Sequence, residues 1–196
     1  MRKPHLLLPP VLLALVFVLA ACGGGESDED KIAETIEASA TSSDPADCKK
    51  LQTQAFAEQL QFVEGPKAVK GCEEDAKAGE NETESVEVSN VEVEGSKATA
   101  DGTFHGGTFD AQTLSIALVE ENGDWKVDQL TGFAKFDGDK LAQSLEESFS
   151  SGEGALDPKV AACMADEFRK LSQPEFENVI LGGKPEPIVE IVEACE

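Results

Sequence analysis

The sequence predicts an α+β fold: helices packed on a four-stranded antiparallel meander, followed by a small all-helical C-terminal region. Three observations predict it. Apolar residues recur at helical spacing on both sides of a central stretch. Inside that stretch, from Ser85 to Leu130, the period changes to the alternation of strands. The turn sequences EGS, HGG and ENGD divide it into four runs. Strands joined by turns this short pair antiparallel, and the preceding helices must cover one face of the sheet.

The chain begins with a basic head, Arg2 and Lys3, and an apolar run from Leu6 to Ala21 broken by Pro9 and Pro10. That is less uninterrupted hydrocarbon than the roughly 20 apolar residues a bilayer span needs. A charged head, a short apolar middle and small residues at its end have the layout of an export signal over residues 1–21. A flexible acidic tether, 22–30, follows, with Gly23, Gly24 and Gly25 leading to Asp28, Glu29 and Asp30.

From Asp28 to Ala40, Ile32, Ala33, Ile36 and Ala40 fall on one helical face. Asp44 and Pro45 form a helix start, an oxygen acceptor ahead of a residue with φ already set. The helix they open carries Cys48, Leu51, Ala55, Phe56, Gln59 and Leu60 on its amphipathic stripe, and a short third helix carries Ala68, Val69 and Cys72. In the meander, Val86 and Val88 are out of step with Val91 and Val93, which predicts a bulge between them. Asn122 and Gly123 are the strongest hairpin signal in the chain. Val86, Val88, Ala98, Ala100, Leu114, Ile116 and Leu118 form the expected inward face.

Beyond Phe136 the helical period returns. DGDK reads as a loop, and Leu141, Leu145 and Phe149 as a helix stripe. Asp157 and Pro158 start a helix with Val160, Cys163, Met164, Phe168 and Leu171 on its apolar side. Ser172 and Glu175 have capping-box spacing, and Ile188, Val189, Ile191, Val192 and Cys195 form a closing helix. GEGALDP is the expected flexible point of this part. The predicted organisation is an α+β domain over 31–136 and a helical C-terminal domain over 137–196.

The end of the leader, Leu19, Ala20, Ala21 and Cys22, resembles the lipobox of bacterial lipoproteins, in which cleavage precedes the cysteine and its sulfur carries a diacylglyceryl group. The resemblance implies lipidation of Cys22 and attachment to the outer face of the cell membrane. Two acyl chains suffice for stable anchoring where one does not. Cysteine parity agrees. With Cys22 given to the lipid, four of the five cysteines remain, and four allow three pairings. They lie as two close couples, so Cys48–Cys72 and Cys163–Cys195 are the economical pairs. Bridges fit an oxidising compartment outside the cytoplasm. The C-x-x-C or Cys/His spacing of a zinc site is missing from the sequence.

Charge bounds the partners. Lys and Arg number 16 against 39 Asp and Glu, and loss of the leader moves the net charge from −23 to −25. Nucleic acid and anionic membrane surfaces both repel such a chain, so the expected membrane contact is the covalent lipid alone.

Helices first, the segment DPADCKKL, and a meander closing in ENGDWKVDQL together resemble the nuclear transport factor 2-like (SnoaL-like, cystatin-like roll) domains of many actinobacterial lipoproteins, over roughly Asp28 to Leu130. The resemblance implies a cone with a pocket between helices and sheet. Catalytic members place an Asp, His or Tyr in that pocket. Here Tyr is absent and the one histidine after the leader, His105, sits in the turn HGG. Asp101 and Asp128 alternate outward, and Asp110 adjoins a turn. HGG has no accompanying G-x-S-x-G elbow, GSK at Gly95 is no phosphate loop, and Asp137 and Asp139 lack the calcium-loop pattern. The sequon Asn81, Glu82, Thr83 matches N-glycosylation only formally. No catalytic, cofactor or metal residue is assigned. The reading is a noncatalytic envelope lipoprotein that binds an apolar small ligand or a partner protein; the alternative is an isomerase or dehydratase using the pocket of the roll.

Overall fold

The computed structural model describes residues 27–79, 83–150, 155–182 and 186–195. The leader, Cys22, the start of the tether, the asparagine of the sequon and the glycines of GEGALDP lie outside the described residues.

Four helices come first: α1 (Asp28–Thr41), α2 (Asp47–Lys50), α3 (Gln54–Gln61) and α4 (Pro66–Ala78). Asp28, Glu29 and Asp30, expected as the end of a tether, form the first turn of α1. Ser27 and Asp30 cap that turn reciprocally, and its acids complement the positive helix end. Ile32 and Ile36 are the buried face of α1.

The single helix expected after Asp44 is two. It breaks at Leu51–Thr53, where the backbone pairs with β4 instead: the Val127 amide donates to Leu51 O and the Thr53 amide to Val127 O, both at 2.9 Å. Thr53 then caps α3 by accepting from the Phe56 amide. The break rotates the stripe, so Phe56, Ala57 and Gln59 are buried while Ala55 and Leu60 are exposed. The third helix, expected to be short, is the 13-residue α4, opened by Pro66 and closed by Gly79 at φ 72°.

The meander consists of β1 (Thr83–Glu94), β2 (Lys97–Gly106), β3 (Thr113–Glu121) and β4 (Asp124–Lys135), antiparallel and in chain order. The predicted bulge lies between Ser89 and Glu92, with Asn90 at φ 52°. Asn122 and Gly123 both take positive φ, 57° and 93°, as a two-residue hairpin with right-handed strand twist requires. Residues of the predicted inward face are buried, apart from half-buried Val88, and Phe104, Trp125, Val127, Leu130 and Phe133 extend that face. Helix α1 lies against both β1 and β4, so the open sheet curls around it.

The chain closes with α5 (Gly138–Ser150), α6 (Pro158–Phe168), α7 (Gln173–Ile180) and α8 (Glu186–Cys195). DGDK is not a loop: Asp137 accepts from the Lys140 amide and the helix starts at Gly138. Asp157 caps α6, and Ser172 with Glu175 forms the capping box of α7. Leu171 falls after α6. Rings join this part to the sheet in an unbroken series, Phe133 to Phe136 and Phe176, Phe176 to Phe168, and Phe168 to Phe149, at 5.1–6.3 Å between centroids. The buried cluster accordingly contains residues of α1, α3, the sheet and α5–α7.

Two buried amides hold these layers in register. Gln59 accepts from the Leu130 amide at 2.8 Å and donates to Leu130 O and Leu181 O at 2.8 and 2.7 Å, tying α3 to β4 and to the end of α7. Gln112, fully buried before β3, accepts from the Asp137 amide and donates to Asp137 O, fixing the entry to α5. A buried group stripped of its partner costs about 1–3 kcal/mol. Gln59→Ala strands three at once, so we expect it to lower the stability of the full chain by about 3 kcal/mol, read as a fall in urea midpoint at constant slope. Gln143→Ala, on the exposed face of α5, should stay within about 0.5 kcal/mol.

Candidate functional site

The helical layers do not close completely on the sheet. Between them lies a cavity of about 720 Å³. The sheet lines it with Phe104, Ile116, Val127 and Leu130, α6 with Met164, and α8 with Ile188 and Val192. The polar part of the wall comes chiefly from α1 to α4 and the segments joining them, including Ser39, Gln52 and Gln61. A cavity of roughly 300–1,000 Å³ holds one small ligand, and this one lies well inside that range.

Each of two disulfides fixes one wall. Cys48–Cys72 ties α2 to α4 with its Cα atoms 6.0 Å apart, and both cysteines line the cavity. Cys163–Cys195 ties α6 to α8 with Cα atoms 5.7 Å apart, holding the helix that contributes Ile188 and Val192. Both bridges are therefore the local pairs. The remaining polar groups of the wall are held in place: Gln52 donates to Ser39 Oγ at 3.1 Å, Ser42 to Asp47 at 2.6 Å, and Gln61 to Asp75 at 2.7 Å. A shallower hollow of about 520 Å³ lies beyond Cys48, but its charges answer one another, Lys49 to Glu73 and Lys126 to Glu121.

The residues weighed for catalysis are not brought together in the cavity. His105 is not in a turn but is the penultimate residue of β2, paired with Ser85, and its neighbour Phe104 takes the inward side. Its ring is 44% exposed although Nε2 itself is covered, and Nε2 stands 3.6 Å from Glu87 Oε1, beyond hydrogen-bond reach. Asp101 accepts from Asn90 and Ser115 in a ladder across three strands. Asp128 is half-buried on β4, and its inward neighbour is Val127. Asp110 accepts from the Gly106 amide at 2.8 Å and pairs with Lys140 at 3.0 Å. Those two contacts, the amide first, hold its carboxyl below the ordinary aspartate range. Among the described residues no group of three or more His, Cys, Asp or Glu is placed to hold a metal ion, and no helix is long and apolar enough to cross a membrane.

Comparison with protein-family models, curated proteins and solved structures returned no match for this chain. The cavity is therefore read from its own chemistry.

The sequence places Gln59 and the bridging cysteines correctly on their helices but does not place the cavity. The apolar residues that face it fit the same periodicity as residues that close a core, so no one-dimensional signal separates the two.

Asp110 supplies a pH test of the junction beneath the cavity. Because folding depresses its pKa, its stabilisation is complete above the unfolded value and is lost as pH falls through the lower folded value. Asp110→Ala should destabilise the chain by up to about 1 kcal/mol near neutrality. That difference should shrink as pH falls below the ordinary aspartate range and through the lower folded value, measured as paired urea midpoints.

Proposed function

We propose that the chain is an extracytoplasmic lipoprotein, anchored through Cys22, that holds a small apolar ligand without transforming it. The single observation that carries the binding role is the cavity: lined by apolar side chains of the sheet, α6 and α8, with a disulfide in each of the two helix pairs that contribute to it. The inward strand face carries no carboxylate, and His105 lies on a strand position opposite to that face. Helices ahead of a meander that curls around α1 support placing the N-terminal part with the nuclear transport factor 2-like rolls. Four cysteines engaged in two bridges leave Cys22, at the end of the lipobox, as the odd thiol. Bridges of this kind persist outside the cytoplasm, where an acyl-anchored protein would sit.

The two halves of the proposal are tested separately. Cys22→Ser should leave an unacylated precursor with its leader attached, seen as a larger intact mass in the membrane fraction; normal processing would remove the anchor from the proposal. Native mass spectrometry of the full chain extracted from membranes should show a small-molecule adduct on the wild type. Ala40→Phe, which fills the cavity from α1, should abolish that adduct while both disulfides remain. Copurification of a protein in place of the adduct would turn the reading to a protein-binding module.

A further inference from the structure

Of the polar side chains that line the cavity among the described residues, Gln52 is the one that is buried, at 9% exposure. We infer that the cavity takes an apolar alcohol, a molecule whose neutral hydroxyl donates its hydrogen to Gln52 Oε1. This rests on the reading of the cavity as a ligand site and adds the class of ligand.

The carboxamide of Gln52 is fixed at one end and open at the other. Its main chain lies in the bridge to β4, between the bond from the Val127 amide to Leu51 O and the bond from the Thr53 amide to Val127 O. Nε2 donates to Ser39 Oγ at 3.1 Å and to Ser39 O at 3.4 Å, a carbonyl in the last turn of α1, where a helix leaves its acceptors open. Two acceptors at that end orient the amide, because turning it over would set Oε1 against the Ser39 carbonyl. Oε1 therefore points the other way, 3.5 Å from Cys72 Sγ. That sulfur is bonded to Cys48 and has no hydrogen to give. Among the described residues no N–H or O–H group reaches Oε1.

Which space Oε1 faces follows from its neighbours. The shallower hollow also touches Gln52, but Ser39 and Cys72, which flank the carboxamide, line the cavity and not the hollow. The cavity thus contains a buried acceptor that is held in place before a ligand arrives. Water entering the cavity can donate to it. A ligand that displaces the water without bringing a hydrogen leaves the oxygen buried and unpaired, whereas an alcohol restores the bond. The rest of such a molecule meets the side chains of Phe104, Ile116, Leu130 and Met164.

The test uses the full chain in lipid nanodiscs loaded with Nile red, with empty discs run in parallel to correct for uptake into lipid. Two probes of one formula differ in the hydrogen they can give: decanol donates one, and its isomer methyl nonyl ether has none. On the wild type the alcohol should displace the dye at about tenfold lower free concentration than the ether. Gln52→Met keeps the length of the side chain and removes the acceptor. It should bring the alcohol to the level of the ether and leave the ether unchanged, which also shows that the cavity survives the substitution. Equal displacement by the two probes on the wild type, a measurement that needs no variant, would overturn the inference while leaving the ligand site standing. An alcohol preference that persists in Gln52→Met would overturn it too, by placing the partner of the hydroxyl elsewhere. Displacement by neither probe would overturn the ligand site itself and the inference with it.

Discussion

The outer hydrogen-bonding edge of β4 is the constraint on which the rest of the molecule depends. As the last strand of an open sheet, it presents main-chain groups that must find partners when buried. Three residues along it are answered in three different ways. Val127 pairs with the Leu51–Thr53 backbone, Leu130 with the amide of Gln59, and Phe133 with Gln173 and Glu177 of α7. Each answer also positions an element: the first breaks the helix between α2 and α3, the second seats α3, and the third docks α7. The opposite edge is managed differently. Among the described residues no strand pairs with the outside of β1, which carries Glu84, Glu87, Glu92 and Glu94 and a kink at Asn90; charge and a bulge are the usual defences of such an edge against pairing with another chain.

The aromatic series works in the same direction. Because Phe133 and Phe136 stack edge-on with Phe176, and Phe176 continues to Phe168 and Phe149, the helices after the sheet bury their apolar stripes on β4 and on each other. Edge pairing fixes where α7 lies along the strand; ring packing fixes how closely it approaches. Neither interaction reaches α8, which is held through Cys195 and a few half-buried side chains, and whose Val189 is 48% exposed. The wall that α8 contributes therefore depends on its disulfide more than the others do.

Most of this architecture was legible in the sequence because local chemistry dictates it. Alternation locates β1 to β4, Asn122–Gly123 locates the last hairpin, Asp157–Pro158 and Ser172 with Glu175 locate two helix starts, and cysteine spacing gives both bridges. What was not legible depends on partners far away in the chain. The helix break at Leu51–Thr53 exists because Val127 offers a better use for those main-chain groups, and nothing near residue 52 announces it. Gln59 left a trace, a polar side chain on an apolar stripe three residues after Phe56, but its partners at Leu130 and Leu181 lie 71 and 122 residues away. DGDK reads as a loop for a local reason: Asp137 is a good turn residue and an equally good cap, and Gln112 decides between them by binding Asp137 through both main-chain groups.

The cavity is the feature that foldability alone does not require. It opens to solvent, so water enters it and it carries no penalty of the kind an empty enclosed void imposes. Water satisfies polar groups of its lining such as Ser39, Gln52 and Gln61 but gains nothing from Met164, Ile188 or Val192. Selection for stability alone would enlarge Ala40 or Ala57 and fill the gap, as single substitutions readily do. Here Ala40 and Ala57 stay small, and the surrounding helices are tied in pairs, α2 to α4 and α6 to α8, by bridges that each contribute roughly 3 kcal/mol through the unfolded chain. Small side chains at the cavity and bridged helices around it are the observations on which the proposed ligand site rests.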